Sequence, residues 1–143
     1  MTGSELLQGR PFGGCAIIWN KNIQGTVTPI DTDSTRICAI KLVLNNLTFF
    51  VCSVYMPTES SGNLDEFKDT IHKLGALINC VQYDAIIIGG DFNTSFERNS
   101  RNLQVLKGFM TDETLKCGLS YKNCSVNHTF ESKIFLLERS FSC

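Results

Sequence analysis

The run Ile86-Ile87-Ile88-Gly89-Gly90-Asp91-Phe92-Asn93-Thr94 holds the sharpest chemistry in this 143-residue chain. An apolar segment delivers an acidic residue to its end, and chain connections at such ends carry working groups on rigid supports. A carboxylate beside an amide can hold a water: the carboxylate takes its proton, and the amide orients it or meets a phosphate oxygen. If the backbone stays extended, alternation puts Asp91 and Asn93 on one side and Phe92 on the other. The glycines admit close approach of backbone or substrate. The same residues also suit an ordinary turn, since Gly, Asp and Asn favour turns on local grounds, so chemistry and turn are about evenly matched here.

Other candidates are weaker singly. Tyr55 closes the apolar run Phe50-Val51-Cys52-Ser53-Val54 just before Met56-Pro57. Its phenol can donate to a phosphate or to a developing negative charge, although a packed ring with a wet hydroxyl explains it more simply. Thr129 can bind a phosphate oxygen, and His128 can act as acid, base or ligand, but no carboxylate neighbours that histidine in sequence. Arg36 opens a strand and can serve structure or phosphate. His72 belongs on the polar face of a helix, and Arg98, Arg101 and Lys107 suit a solvated face.

These groups need elements to position them. Segments 15–19 and 23–28 are expected as a hairpin with Asn20-Lys21-Asn22 at the turn. Segments 36–44 and 47–55 are expected as stronger strands across a tight Asn45-Asn46 turn. Both are apolar on two faces, which suits interior strands covered on each side. Leu64, Phe67, Ile71, Leu74 and Ile78 recur at helical steps, with Asn63 and Glu66 spaced as a capping pair. Segment 85–88 is a short apolar strand. A second helix is expected over 103–117 with Gly118 as its C-cap, and 128–130 as one more strand. Hairpins followed by alternating strand and helix predict α/β or α+β layering around a mostly antiparallel sheet.

Composition sets bounds. The length suits one domain. Hydrophobic residues are 43% and charged ones 19%, which excludes a disordered chain. A net charge of −1 gives no global basic field for nucleic acid, leaving recognition to a few placed residues. No apolar run reaches membrane-span length, and residues 1–10 lack a signal-peptide pattern. An intracellular location, nuclear or cytoplasmic, is therefore expected. The seven cysteines are odd in number and form no C-x-x-C pair, so they are expected as buried free thiols in a reducing compartment rather than a zinc site. No protein partner is evident.

In order, Gly13-Gly14-Cys15-Ala16-Ile17-Ile18-Trp19, Arg36, Val54-Tyr55-Met56-Pro57, Gly90-Asp91-Phe92-Asn93 and His128-Thr129-Phe130 resemble the endonuclease/exonuclease/phosphatase superfamily, the DNase I-like fold. Their order and spacing look most like the endonuclease domains of LINE-type (non-LTR) retrotransposons. The resemblance runs over about residues 11–132, with 133–143 a divergent tail, in a single incomplete domain spanning 1–143. It implies the four-layer αββα sandwich, here a fragment of it. It also implies phosphodiester hydrolysis on DNA assisted by a divalent metal, usually Mg2+. In such proteins the Asp matching Asp91 activates or positions the attacking water. The Asn matching Asn93 orients that Asp and contacts phosphate, the Tyr matching Tyr55 supports the phosphate, and the Thr matching Thr129 lies at the substrate-facing rim.

The departures carry their own expectations. The family's Asn-bearing N-terminal strand and metal-binding Glu precede the Gly-Gly strand, where this chain has Glu5 as its sole acid. The family's Ser-x-x-Asp segment and terminal Asp-His pair have no counterpart after Phe130. A metal ligand is thus absent, and groups that act as a unit fail together. The chain is expected to be an endonuclease fragment, truncated at both ends and weak or inactive as it stands. The alternatives are a non-catalytic truncated gene product or, at a smaller share, a phosphatase with Asp91 as nucleophile.

Overall fold

Asn45 and Asn46 both take left-handed backbone, with φ of 51° and 65°, the geometry that a two-residue turn needs to match the twist of its strands. They join β2 (Ile37–Leu44) to β3 (Leu47–Tyr55) in an antiparallel hairpin registered from Leu44↔Leu47 to Ile37↔Val54. The computed structural model describes residues 14–117 and 137–140. Within them β1 (Gly25–Ile30) borders β2, α1 (Leu64–Cys80) crosses over from β3, and β4 (Ala85–Asp91) returns parallel to β3. Then come α2 (Arg101–Asp112), the two-residue β5 (Lys116–Cys117) and β6 (Leu137–Ser140). The six strands form one sheet in the order β1-β2-β3-β4-β6-β5, and only the β3–β4 pair is parallel.

The core explains the layering. Ile37 and Ala39 of β2, Phe50, Cys52 and Val54 of β3, and Ile86 and Ile88 of β4 point to one face. Phe67, Ile71, Leu74 and Ile78 of α1 and Leu106 and Phe109 of α2 pack onto it. Each such side chain contributes roughly 1.5–3 kcal/mol when fully buried. The architecture is the expected mixed α/β one, with one helix layer on one sheet.

Several expectations are corrected. Residues 15–19 form no strand, since they find no ladder partner among the described residues; the first strand begins at Gly25 instead. Among the described residues, helices cover the interior strands on one face; on the other, Ile40 is buried and Val51 and Ile87 are half-buried. Asn63 does not form a capping box, because its amide donates to the Thr58 carbonyl and hydroxyl, at 3.2 and 3.3 Å, and Glu66 turns to Arg36. The second helix starts two residues early, where Ser100 caps it by accepting from Leu103 N–H at 3.2 Å. It ends by residue 112 because Thr114 turns left-handed, φ 56°, and Lys116–Cys117 enter the sheet. Gly118, the expected C-cap, and the expected strand 128–130 lie outside the described residues. Strand β6 was not legible: Leu-Glu-Arg-Ser offers no run of apolar or β-branched residues, and its place is set by pairing to β4 and β5. Cys52 and Cys117 are buried, as expected of thiols, but Cys80 is exposed at the end of α1. Cys124 and Cys143 lie outside the described residues.

Candidate active site

Strands β3 and β4 run parallel, so their C-terminal ends lie side by side, and Tyr55 is the register partner of Asp91. Register partners project to the same face of the sheet. The carboxylate and the phenol thus occupy neighbouring positions at one strand edge, both half-buried. This closeness depends on Gly90. Its φ of 139° suits glycine, and a Cβ there would run into the Val54 carbonyl. The strand continues through Gly89 and Gly90, where the sequence suggested that it stopped.

Beyond Asp91 the chain turns at once. Asn93 has a left-handed φ of 45°, so simple alternation does not hold, and Asp91 and Asn93 come together in another way. The Asn93 N–H donates to Asp91 Oδ1 at 2.9 Å, an Asx-type turn that fixes the carboxylate and leaves Oδ2 open to a ligand. The Asn93 side-chain amide donates to the Met56 carbonyl at 2.7 Å, and Met56 N–H donates to the Asp91 carbonyl at 2.8 Å. The segment after β3 and the segment after β4 are therefore stitched together by these contacts. Asn93 orients Asp91 through its backbone, its Nδ2 is engaged, and its Oδ1 has no partner among the described residues. Phe92 is wholly buried and anchors the turn. Thr94 is also buried, and its hydroxyl finds no partner among the described residues.

Arg36 is not a free cation. Its Nε and Nη2 donate to Glu66 Oε1 at 2.9 and 2.8 Å, its Nη1 donates to the Tyr55 carbonyl at 3.3 Å, and its Cζ lies 5.7 Å from the Tyr55 ring centroid. Two of its five N–H groups remain for a ligand. Glu66 was missed as a site residue because its spacing from Asn63 suited a cap; only the fold brings it to Arg36, 30 residues earlier. Thr129 and His128 lie outside the described residues. His72, Arg98, Arg101 and Lys107 are exposed, and the Arg98–Glu59 pair, at 4.0 Å, is a loose surface contact of little energetic weight.

The arrangement can bind and position a water or a phosphate oxygen at Asp91 Oδ2 and the Tyr55 phenol, with Asn93 Oδ1 at hand. It does not by itself fit a protein-held magnesium. Among the described residues no three His, Cys, Asp or Glu side chains converge, and one oxygen of Asp91 is already bonded. No helix among the described residues is long and apolar enough to cross a membrane.

No family model matches the sequence, and neither does any curated protein. Solved structures do match in shape. The endonuclease domain of TRAS1, a telomere-specific non-LTR retrotransposon, superposes with a TM-score of 0.63 at 10% identity, over 82% of this chain and 55% of that one. The human Nocturnin catalytic domain gives 0.47 at 13% identity, over 71% and 39%. An endonuclease/exonuclease/phosphatase family protein from Bacteroides thetaiotaomicron gives 0.44 at 14% identity, over 71% and 39%. The chain spans about half the length of the TRAS1 domain. Its sheet and helix layer share the fold of the TRAS1 endonuclease domain.

Proposed function

We propose that this chain carries part of a phosphodiester-cleaving site of the endonuclease type, acting on DNA. Asp91 is the group that positions or deprotonates the attacking water, Tyr55 the donor to the phosphate, and Asn93 the group that holds Asp91 and contacts a phosphate oxygen. Thr129 is proposed at the substrate-facing rim. The observation that carries this reading is the side-by-side placement of Asp91 and Tyr55 on adjacent parallel strands, with the Asp91 carboxylate fixed by the Asn93 N–H. The carboxyl ends of parallel strands are a recurrent place for ligands of α/β sheets. The likeness to the TRAS1 endonuclease domain supports the choice of DNA over other phosphodiesters. Metal dependence is part of the proposal and is what the magnesium titration tests.

The test is nicking of supercoiled plasmid by the purified chain across a magnesium titration, beside Asp91→Ala and Tyr55→Phe. Nicking is expected to be slow, to require the divalent cation, to vanish with Asp91→Ala and to drop roughly 100- to 1,000-fold with Tyr55→Phe. Nicking indifferent to Asp91→Ala refutes the assignment, as does a chain that neither nicks nor binds DNA at any magnesium concentration.

A further inference from the structure

One residue holds Tyr55 at three points. Tyr55 N–H donates to the Arg36 carbonyl at 2.9 Å, the Arg36 Nη1 donates back to the Tyr55 carbonyl at 3.3 Å, and the guanidinium Cζ lies 5.7 Å from the ring centroid. Arg36 is in turn held by a single carboxylate oxygen, Glu66 Oε1, which receives both Nε and Nη2. We propose that Glu66, acting through Arg36, is a positioning residue for Tyr55. The inference rests on Tyr55 being a substrate-facing group, as proposed above.

The chemistry favours this over a role for Arg36 as a phosphate ligand. Glu66 sits in the first turn of α1, where a carboxylate is already favoured by the helix dipole, and there it neutralises the guanidinium. A lysine could not replace Arg36, because the contact uses a planar fork to one acceptor, a third N–H to another, and a flat cation over a ring. The segment between Tyr55 and α1 contains Pro57 and the exposed residues 58–62. The Arg36–Glu66 pair ties the start of the helix back to the end of β3 and closes that segment. Without the tie, Arg36 loses its fixed orientation, and the ring loses the cation that defines one of its sides.

The two roles differ in sign. If Arg36 serves as a phosphate ligand, Glu66 competes with DNA, and its removal tightens binding. If Glu66 positions Tyr55, its removal lowers turnover, whatever the freed charge of Arg36 does to DNA affinity. The experiment uses the full chain labelled with 3-fluorotyrosine, which gives 19F signals from Tyr55, Tyr83 and Tyr121, with Tyr55 assigned through Tyr55→Phe. Glu66→Ala is expected to shift and broaden the Tyr55 signal and leave that of Tyr83 in place. Glu66→Gln, which keeps an acceptor for Arg36, is expected to move it less. Arg36→Lys should reproduce Glu66→Ala, and the double variant should add nothing further, as expected for residues acting through one contact. Where nicking is measurable, kcat should fall roughly tenfold or more with KM little changed. A Tyr55 signal unmoved by Glu66→Ala overturns the inference, as does tighter DNA binding by that variant with kcat unchanged. Loss of nicking in every variant and in the parent chain bears on the proposed function alone, because the 19F measurement needs no turnover.

Discussion

Gly90→Ala tests whether the β3–β4 junction is built around a missing side chain. At φ 139° an L-residue is strained, by roughly 1–3 kcal/mol. The added Cβ would also run into the Val54 carbonyl oxygen and lie 2.8 Å from the Val54 nitrogen, where real Cβ contacts stay beyond 3.0 Å. Both neighbours are backbone atoms of the partner strand, so no side chain can swing aside to relieve the clash. The strands must separate at the Val54↔Gly90 and Tyr55↔Asp91 positions, and each ladder bond weakened there removes about 0.5–1.5 kcal/mol. The sum is about 2–6 kcal/mol against a typical domain stability of about 5–15 kcal/mol. Urea unfolding followed by far-UV circular dichroism reads this as a lowered midpoint at unchanged slope. Hydrogen exchange adds a local readout, since the Met56 N–H, bonded to the Asp91 carbonyl, should lose protection even in the folded state. A loss of less than about 1 kcal/mol, with Met56 still protected, would refute the close-approach reasoning.

Two further outcomes follow from single residues. Asn93 combines a left-handed backbone with a side-chain bond to the Met56 carbonyl, and glycine and alanine separate the two. Asn93→Gly should lower stability by the lost hydrogen bond, about 1–3 kcal/mol, and Asn93→Ala by about 1 kcal/mol more for the left-handed φ; equal urea midpoints for the two variants would count against the strain. Burial first, and then the neighbouring Cys15 and Cys38 thiols, push the Cys52 thiol up from its ordinary 9.0. Because the folded state holds that proton more tightly than the unfolded one, the contribution is fully present below pH 9.0 and is lost as pH rises above it, at up to about 1.4 kcal/mol per pH unit. Stability of the parent minus that of Cys52→Ala, measured in a reductant between pH 8 and pH 10.5, should therefore fall with pH; a flat difference contradicts the burial.

What was legible in the sequence and what was not divides by the range of the forces involved. The hairpin β2–β3 was readable because its turn is local chemistry, two asparagines that tolerate positive φ between apolar runs. Helix α1 was readable because five apolar residues repeat at helical spacing and all but Leu64 of them are buried. Asp91 and Asn93 stood out because acid and amide follow an oily strand. The manner of their meeting was hidden, since alternation presumes extended backbone and Asn93 leaves it. Glu66 was misassigned because a local cap and a distant arginine compete for one carboxylate, and spacing reveals only the first. Residues 15–19 have strand-forming composition without a partner in the described sheet, and β6 has a partner without strand-forming composition. In both, pairing decided against local propensity.

The charges at the site say what the proposed reaction would require. Asp91 and Glu66 bring two negative charges and Arg36 one positive, and Arg36 is bonded to Glu66, so a phosphodiester reaching Asp91 Oδ2 meets an uncompensated carboxylate. Like charges a few ångströms apart repel by about 1 kcal/mol in a wet, screened setting. DNA binding by the parent chain should therefore be weak without a divalent cation. Asp91→Asn keeps the shape and the acceptor for the Asn93 N–H while removing the charge. It should abolish nicking and yet bind a short duplex about fivefold more tightly in the absence of magnesium, an increase measurable by fluorescence anisotropy, and the advantage should shrink as magnesium is added. The opposite result, weaker cation-free binding by Asp91→Asn, would mean that the carboxylate accepts hydrogen bonds from the ligand rather than facing its negative oxygens, and Asp91 would then not be the group that meets the phosphate.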